Sequence, residues 1–338
     1  MMKPKVSICI PTYRQVDFLR QTLNSVAAQK FADYEIIISD DSPDDSVRDL
    51  ISEFNFGEKL HYYRNEKSLG SPENWNAAIR KANGEYIKIL HHDDMLAHPD
   101  ALEAFVGLLD NNPDANFGFC ASRIEDAVSE SVRESRPTDK QLHMLRATPE
   151  KLFLGNCIGA PSATICRREA AIDYDNRMKW LVDIDFYIRI LRQGKDFSYS
   201  PEVLIVTPTN AGHQVTEICN TDAETELYEY SLLYLKNAEY LARDDDAMAF
   251  LSMFVGKYGS NALIDVIYKY RDDLPLKVLM ENVLVSYRKK PFLRFVNLIY
   301  WRLPAPVFVQ KVIRVFIRLI YRILWRLSIV RGNWIVNF

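Results

Sequence analysis

Three short apolar runs near the start of this sequence each end in residues that could do chemistry. Val6-Ser7-Ile8-Cys9-Ile10 leads into Pro11-Thr12-Tyr13, residues 34–39 lead into Asp40-Asp41, and residues 86–90 lead into His91-His92-Asp93-Asp94. Four carboxylates brought to one place repel one another and need compensation. A hard divalent cation such as Mg2+ or Mn2+ provides it, because such ions take oxygen ligands and bridge protein carboxylates to the phosphates of a substrate. Each pair also has a plainer explanation. Asp40-Asp41-Ser42-Pro43-Asp44 is good turn chemistry, and Asp93-Asp94 could cap a helix or sit in a solvated loop. The glycine content argues against a phosphate cradle built from backbone alone, since neither GxGxxG nor GxxxxGK[ST] occurs.

The elements that must position these residues follow from periodicity. The apolar runs at 6–10, 34–39 and 86–90 read as buried parallel strands, with a shorter strand at 60–63. Phe18, Leu19, Leu23 and Val26 recur at helical spacing, and residues 47–54 and 75–82 are helical, the last with Gly84 as its stop signal. Alternating strands and helices at this spacing predict a doubly wound α/β sheet, whose ligands bind at the carboxyl ends of the strands. Those ends carry the residues named above. Further on, the pattern predicts a helix at 102–109, a strand at 116–121 and a polar surface loop at 129–140. A segment at 152–168 carries Gly159-Ala160-Pro161-Ser162 before an apolar strand. A helix follows at 180–191 and a strand at 203–206. Beyond Glu217 the sequence is almost wholly helical in character.

The run Val6 to Tyr13, the run from Glu35 to Asp41, and Gly84-Glu85-Tyr86-Ile87 leading into Asp93-Asp94 together resemble the family 2 glycosyltransferases over residues 4–215. The resemblance implies a GT-A fold, a mixed α/β sheet, and inverting sugar transfer from a nucleotide diphosphate, a UDP-sugar in particular. It implies that Pro11, Tyr13 and Asp41 bind the base, with Thr12 and Asp40 beside them. It places Asn76, with Asn74, near the nucleotide, although capping and packing at a helix start explain these two equally well. Asp93 and Asp94 fall on the motif that holds the metal, Mg2+ or Mn2+, between the nucleotide's two phosphates. His91 and His92 stand where the family usually has other residues, which leaves open whether Asp93 or Asp94 is the direct ligand; packing or hydrogen bonding accounts for the two histidines better than metal ligation by one of them does. The run Trp180 to Arg189 is similar to the family's general-base segment, with Val182 in place of the usual Glu, and makes Asp183 the catalytic base. Asp185 lies on another face of the same helix. His213, in Asn210-Ala211-Gly212-His213-Gln214, is implied as a third metal ligand or a donor near the diphosphate. Two rivals remain on this reading: a sugar-nucleotide pyrophosphorylase, which would carry a Gly-rich basic loop absent after Ile10, and an inactive partner that keeps the fold alone.

Charge separates the chain into two parts. The 338 residues hold 42 basic and 45 acidic side chains, but the last acid is Glu281, and the 57 residues after it carry 11 Lys/Arg. The first 281 residues therefore have a net charge of −14. Lys311, Arg314, Arg318, Arg322 and Arg326 recur at steps of three and four and fall within an arc of about 120° on a helix. Ile313, Phe316, Ile317, Ile320 and Leu324 take the opposite side. This is the pattern of a helix lying in an anionic membrane surface, and its apolar face is too greasy for a nucleic-acid partner. An amphipathic helix packed on another subunit is the alternative. No uncharged apolar run approaches the roughly 18–20 residues of a spanning helix, and no secretory leader is expected. Five scattered cysteines without a CxxC pair predict reduced thiols and no zinc site. The expected organisation is a catalytic domain at 1–215, a helical extension at 216–286 and a basic amphipathic segment at 287–338. The protein is expected at the cytoplasmic face of the membrane as a peripheral enzyme acting on a lipid-linked glycan.

Overall fold

Alternating strands and helices build the first part of the chain in the computed structural model, which describes residues 3–194, 196–209, 219 and 222–289. β1 (Val6–Thr12), α1 (Val16–Ala27), β2 (Tyr34–Asp40), α2 (Ser46–Ser52), β3 (Leu60–Arg64), α3 (Glu73–Lys81) and β4 (Tyr86–Ile89) follow in order. The four strands are parallel and adjacent in the order β3-β2-β1-β4. β1 and β2 are buried over their whole length, which is why they read as continuous apolar runs. α1 buries Leu19, Leu23 and Val26 against Ile8, Ile10, Ile36 and Ile38. Each such side chain contributes about 1.5–3 kcal/mol by leaving water.

The sheet then changes direction. β5 (Met95–Leu96), α4 (Ala101–Asp110), β6 (Ala115–Asp126), β7 (Val132–Ser135), α5 (Asp139–Ala147), β8 (Thr164–Arg167), α6 (Val182–Leu191) and β9 (Asp196–Thr209) complete it. β8 runs antiparallel between β4 and β6, and β9 runs parallel to β6. The result is a mixed nine-stranded sheet in the order β3-β2-β1-β4-β8-β6-β9-β5, with β7 on β6. Because β8 is reversed, the turn before it, Pro161–Ala163, arrives at the edge where β4 ends.

The expected surface loop at 129–140 is corrected by β7 and by the start of α5. β7 is Val132-Arg133-Glu134-Ser135, mostly exposed, and is ordered by its backbone ladder to β6. It has no apolar face for a sequence pattern to reveal.

The chain divides into two compact units, residues 1–218 and 219–338. The described part of the second is helical: α7 (Ala223–Lys236), α8 (Ala238–Leu241), α9 (Asp245–Tyr258), α10 (Ser260–Lys269) and α11 (Leu274–Arg288). Asp222, Asp244 and Asp273 cap the first turns of α7, α9 and α11. Within this unit Glu226 is buried and accepts from Lys257 Nζ at 2.7 Å and Tyr258 OH at 2.6 Å, tying α7 to α9. No helix among the described residues is long and apolar enough to cross a membrane. The basic segment from 290 onward and His213 lie outside the described residues.

Candidate active site

The carboxyl ends of β1, β2 and β4 lie side by side, because the register pairs Thr12 with Asp40 and Cys9 with Ile89. Thr12 donates its hydroxyl to Asp40 Oδ1 at 3.1 Å, the Ser42 N–H donates to the same oxygen at 2.9 Å, and Tyr62 OH donates to Oδ2 at 2.8 Å. Burial, then the hydrogen bond and charge of Asp40, push the Tyr62 phenol up to about 12. Thr12 and Asp40 are themselves buried at 1% and 0% exposure. Both are held beneath the strand ends by these contacts, where they fix the turn above.

Asp41 is also buried and serves a loop. Its Oδ1 accepts from Leu69 N–H at 3.0 Å and from the Asn65 amide at 2.8 Å; its Oδ2 accepts from Gly70 N–H at 2.8 Å and Ser68 OH at 3.3 Å. One carboxylate thereby holds the whole 65–70 segment, with Gly70 at φ 72 supplying the left-handed turn. Tyr13 differs from its neighbours. It is 46% exposed, with the Arg14 guanidinium 5.1 Å from its ring centre. Arg14 and Gln15 both take positive φ, 55° and 49°, and the Arg14 N–H donates to Ser42 Oγ at 2.7 Å. Consecutive non-glycine residues in the left-handed region are strained, and such strain collects at functional sites.

Asn76 takes the packing role that the sequence also allowed. It is fully buried, accepts from Tyr174 N–H at 2.8 Å and donates to Tyr174 O at 3.0 Å. It pins the 173–176 segment to α3. Asn74 donates to Thr12 O at 3.1 Å and accepts from Asn65 at 3.1 Å, joining α3 to the same strand-end network.

The exit of β4 holds the densest chemistry. His91, Asp93 and Asp94 each offer a ligand atom within 4.8 Å of the others. His91 Nδ1 is 3.9 Å from Asp94 Oδ2, and the His91 ring packs on Trp75 with centroids 4.5 Å apart. Asp94 is 2% exposed, and its Oδ1 is buried with no hydrogen-bond partner among the described residues. Burial, then the negative charge of Asp93, push the Asp94 carboxyl well above the ordinary carboxylate range, against hydrogen bonding to the carboxyl from Ser162 and Thr207 and the charge of Lys88, which lower it. Burial pushes His91 down to about 4, so its imidazole is neutral near pH 7. A buried carboxylate oxygen without a donor, beside a second carboxylate and a neutral imidazole, fits a divalent cation.

Three residues that sequence reasoning passed over hold this loop. Thr22 Oγ1, from α1, lies 2.9 Å from His92 O and 2.8 Å from Asp94 O. Ser162 Oγ accepts from His91 N–H at 2.9 Å. Lys88, fully buried in β4, donates to Ser162 O and to Ile89 O. Each left a signal: a threonine on the apolar face of α1, a lysine inside an apolar strand, and the serine of Gly-Ala-Pro-Ser.

Asp183 sits in the first turn of α6, where the helix dipole favours a carboxylate. Its Oδ1 accepts from Ile184 N–H at 2.8 Å and its Oδ2 from the Asn156 amide at 2.9 Å. Asn156 Oδ1 accepts from the N–H groups of Ile158 and Gly159, so a tight turn aims the amide. Buried Tyr187 donates to Gly159 O at 3.1 Å, and its phenol is raised by burial and by the charges of Asp183 and Asp94 together. One phenol thus lies within the fields of both carboxylates. Asp185 is 1% exposed and accepts from Arg189 Nε at 2.7 Å, in keeping with its different helix face.

The glycosyl transferase family 2 model matches residues 7–175, half of the chain, and spans the sheet edge just described. The chain belongs to glycosyltransferase family 2. Abequosyltransferase RfbV of Salmonella typhimurium is 31% identical over 188 residues, which cover 50% of this chain and 55% of that protein. Two solved structures share the fold. TarS 1–349 of S. aureus in complex with UDP-GlcNAc superposes with a TM-score of 0.57 at 18% identity, covering 95% of this chain and 90% of that one. The mannosyltransferase PcManGT of Pyrobaculum calidifontis, in complex with GDP-Man and Mn2+, gives 0.52 at 18% identity, covering 86% and 87%. The family 2 glycosyltransferase therefore has the GT-A fold, and the pyrophosphorylase alternative falls.

Proposed function

We propose that this glycosyltransferase moves a sugar, with inversion, from a nucleotide diphosphate donor, a UDP-sugar, to a hydroxyl of a lipid-linked glycan at the cytoplasmic membrane surface. The observation that carries the donor side is the His91–Asp93–Asp94 cluster with its unpartnered buried oxygen, at the strand edge where exposed Tyr13 stands. Support comes also from UDP-GlcNAc in TarS and from GDP-Man with Mn2+ in PcManGT.

Tyr13 presents an aromatic face on which a base stacks, and Arg14 beside it supplies a positive charge. Asp41 shapes the pocket by holding the 65–70 loop. Asp93 and Asp94 would hold Mg2+ or Mn2+, which when bound offsets the charge developing on the departing diphosphate. Asp183 takes the acceptor hydroxyl proton as that oxygen attacks the anomeric carbon opposite the leaving group. The Asn156 amide and the Ile184 N–H orient the Asp183 carboxylate for that transfer. The acceptor class rests on the basic amphipathic segment at 307–328.

Two variants test the reading. Asp94→Asn is expected to abolish the Mn2+-dependent thermal stabilisation that UDP gives the wild type. Asp183→Asn is expected to keep that stabilisation and lose sugar transfer by about 10²–10⁴-fold, the usual contribution of a positioned base. Unchanged UDP stabilisation in Asp94→Asn removes the metal assignment, and retained turnover in Asp183→Asn removes the base.

A further inference from the structure

We propose that His91 itself ligates the cation, so that this transferase holds its metal with one imidazole nitrogen and two carboxylates and selects Mn2+ over Mg2+. The inference rests on the metal reading above and deepens it. Its first support is spatial. Ligand atoms that share one cation at about 2.1 Å lie about 3 Å apart in adjacent positions and about 4.2 Å apart in opposite ones. The His91, Asp93 and Asp94 donor atoms lie within 4.8 Å of one another, and His91 Nδ1 is already 3.9 Å from Asp94 Oδ2. Small side-chain rotations close that spread.

The second support is how the ring is held. The imidazole packs against the Trp75 ring, and Trp75 packs edge-on against Tyr174, which stacks on Phe186 of α6 at 4.3 Å. The His91 backbone is fixed separately, by Ser162 Oγ. His91 Nε2 is buried with no hydrogen-bond partner among the described residues, so no hydrogen bond from that nitrogen turns the ring away from the carboxylates. The Trp75 contact holds the ring with Nδ1 3.9 Å from Asp94 Oδ2.

The third support is chemical. Mg2+ demands oxygen ligands in near-ideal octahedral geometry; imidazole suits the later first-row ions best, and Mn2+, at the weak end of that series, still accepts a nitrogen donor more readily than Mg2+ does. A nitrogen donor at the first position of the motif therefore shifts preference from Mg2+ toward Mn2+.

The test uses the full chain with Mn2+ alone, without nucleotide, in a nitrogen-free buffer. Pulsed electron paramagnetic resonance of the bound Mn2+ should show modulation from a directly ligated 14N. In His91→Phe, which keeps a ring against Trp75, and in His91→Asp, which substitutes an oxygen donor, that modulation should vanish. Competition titrations should show Mn2+ binding at least tenfold tighter than Mg2+ in the wild type, with the ratio narrowing several-fold in His91→Asp. Mn2+ that binds, and weakens in Asp94→Asn, but shows no 14N modulation overturns the histidine ligand and leaves the metal reading standing. Modulation that persists in both His91 variants overturns it too, since the nitrogen then comes from another residue. Failure of Mn2+ to bind at all overturns the metal reading and this inference together.

Discussion

Lys88 carries an amine into the middle of a strand whose other residues are apolar, and its consequences can be worked out at the scale of one side chain. It lies over the Phe105 ring at 4.3 Å and faces two carbonyls, Ile89 O and Ser162 O. A neutral amine has two N–H groups and satisfies both acceptors without a buried charge. Burial pushes its pKa down to about 7, with the charges of Cys120 and Asp94 opposing; in the unfolded chain it is about 10.4. Between those values the unfolded chain binds the additional proton, so this group adds stability as pH rises from 7 toward 10 and adds none below 7. The unfolding free energy of the wild type relative to Lys88→Met should therefore grow by about 2 kcal/mol between pH 7 and pH 9. Urea melts at the two pH values measure it, and a difference that stays flat means the ammonium remains charged in the fold.

At the scale of elements, α1 does more than cover the sheet. Its buried face runs Leu19, Thr22, Leu23, Val26, and the one polar member reaches the carbonyls of His92 and Asp94. Thr22→Val keeps the branched shape and removes the hydroxyl's one proton, leaving one of the carbonyls it faces short of a donor at a cost of about 1–2 kcal/mol. The loop should loosen as well, so Mn2+ binding should weaken several-fold in the same variant. Calorimetry of both quantities decides it: lost stability with unchanged Mn2+ affinity would show that the loop is held from elsewhere. The helix itself was legible in the sequence, because Leu19, Leu23 and Val26 sit at helical spacing. So were β1, β2 and β4, whose apolar runs carry their own signature. α5 was not read, although Thr138 and Gln141 form a capping box that the sequence displays. The site was legible only in part, for a different reason. What each polar side chain holds depends on contacts far along the chain: Asp41 holds residues 65–70, and Asn76 holds Tyr174, 98 residues away. Two adjacent aspartates in a sequence carry no mark of which one a distant loop will claim.

At the scale of the whole molecule, the charge division bears on the proposed membrane surface. The first 281 residues carry a net −14 and would be repelled by an anionic leaflet, while 11 basic residues and no acids follow. Within Lys311 to Arg326 five of them share one side of a helical pattern. On the proposed anchor each would contribute about 1 kcal/mol near an anionic surface, so the five together would contribute about 5 kcal/mol, a factor of several thousand in binding. The full chain with Lys311, Arg314, Arg318, Arg322 and Arg326 all changed to Gln should accordingly lose cosedimentation with phosphatidylserine vesicles while keeping its melting temperature. Wild-type binding should itself fall in 1 M salt, where the screening length shrinks to about 3 Å. Substituting Ile313, Phe316 and Ile320 with Ser separates the apolar contribution, since that variant keeps the charge and should still lose binding by removing buried aliphatic surface. Vesicle binding that survives the five-fold Gln change, or that is equal on neutral and anionic lipid, rules out an electrostatic anchor. Binding lost in the Gln variant but insensitive to the Ser changes would place the segment above the lipid surface as a charged arm, with its apolar face covered by protein.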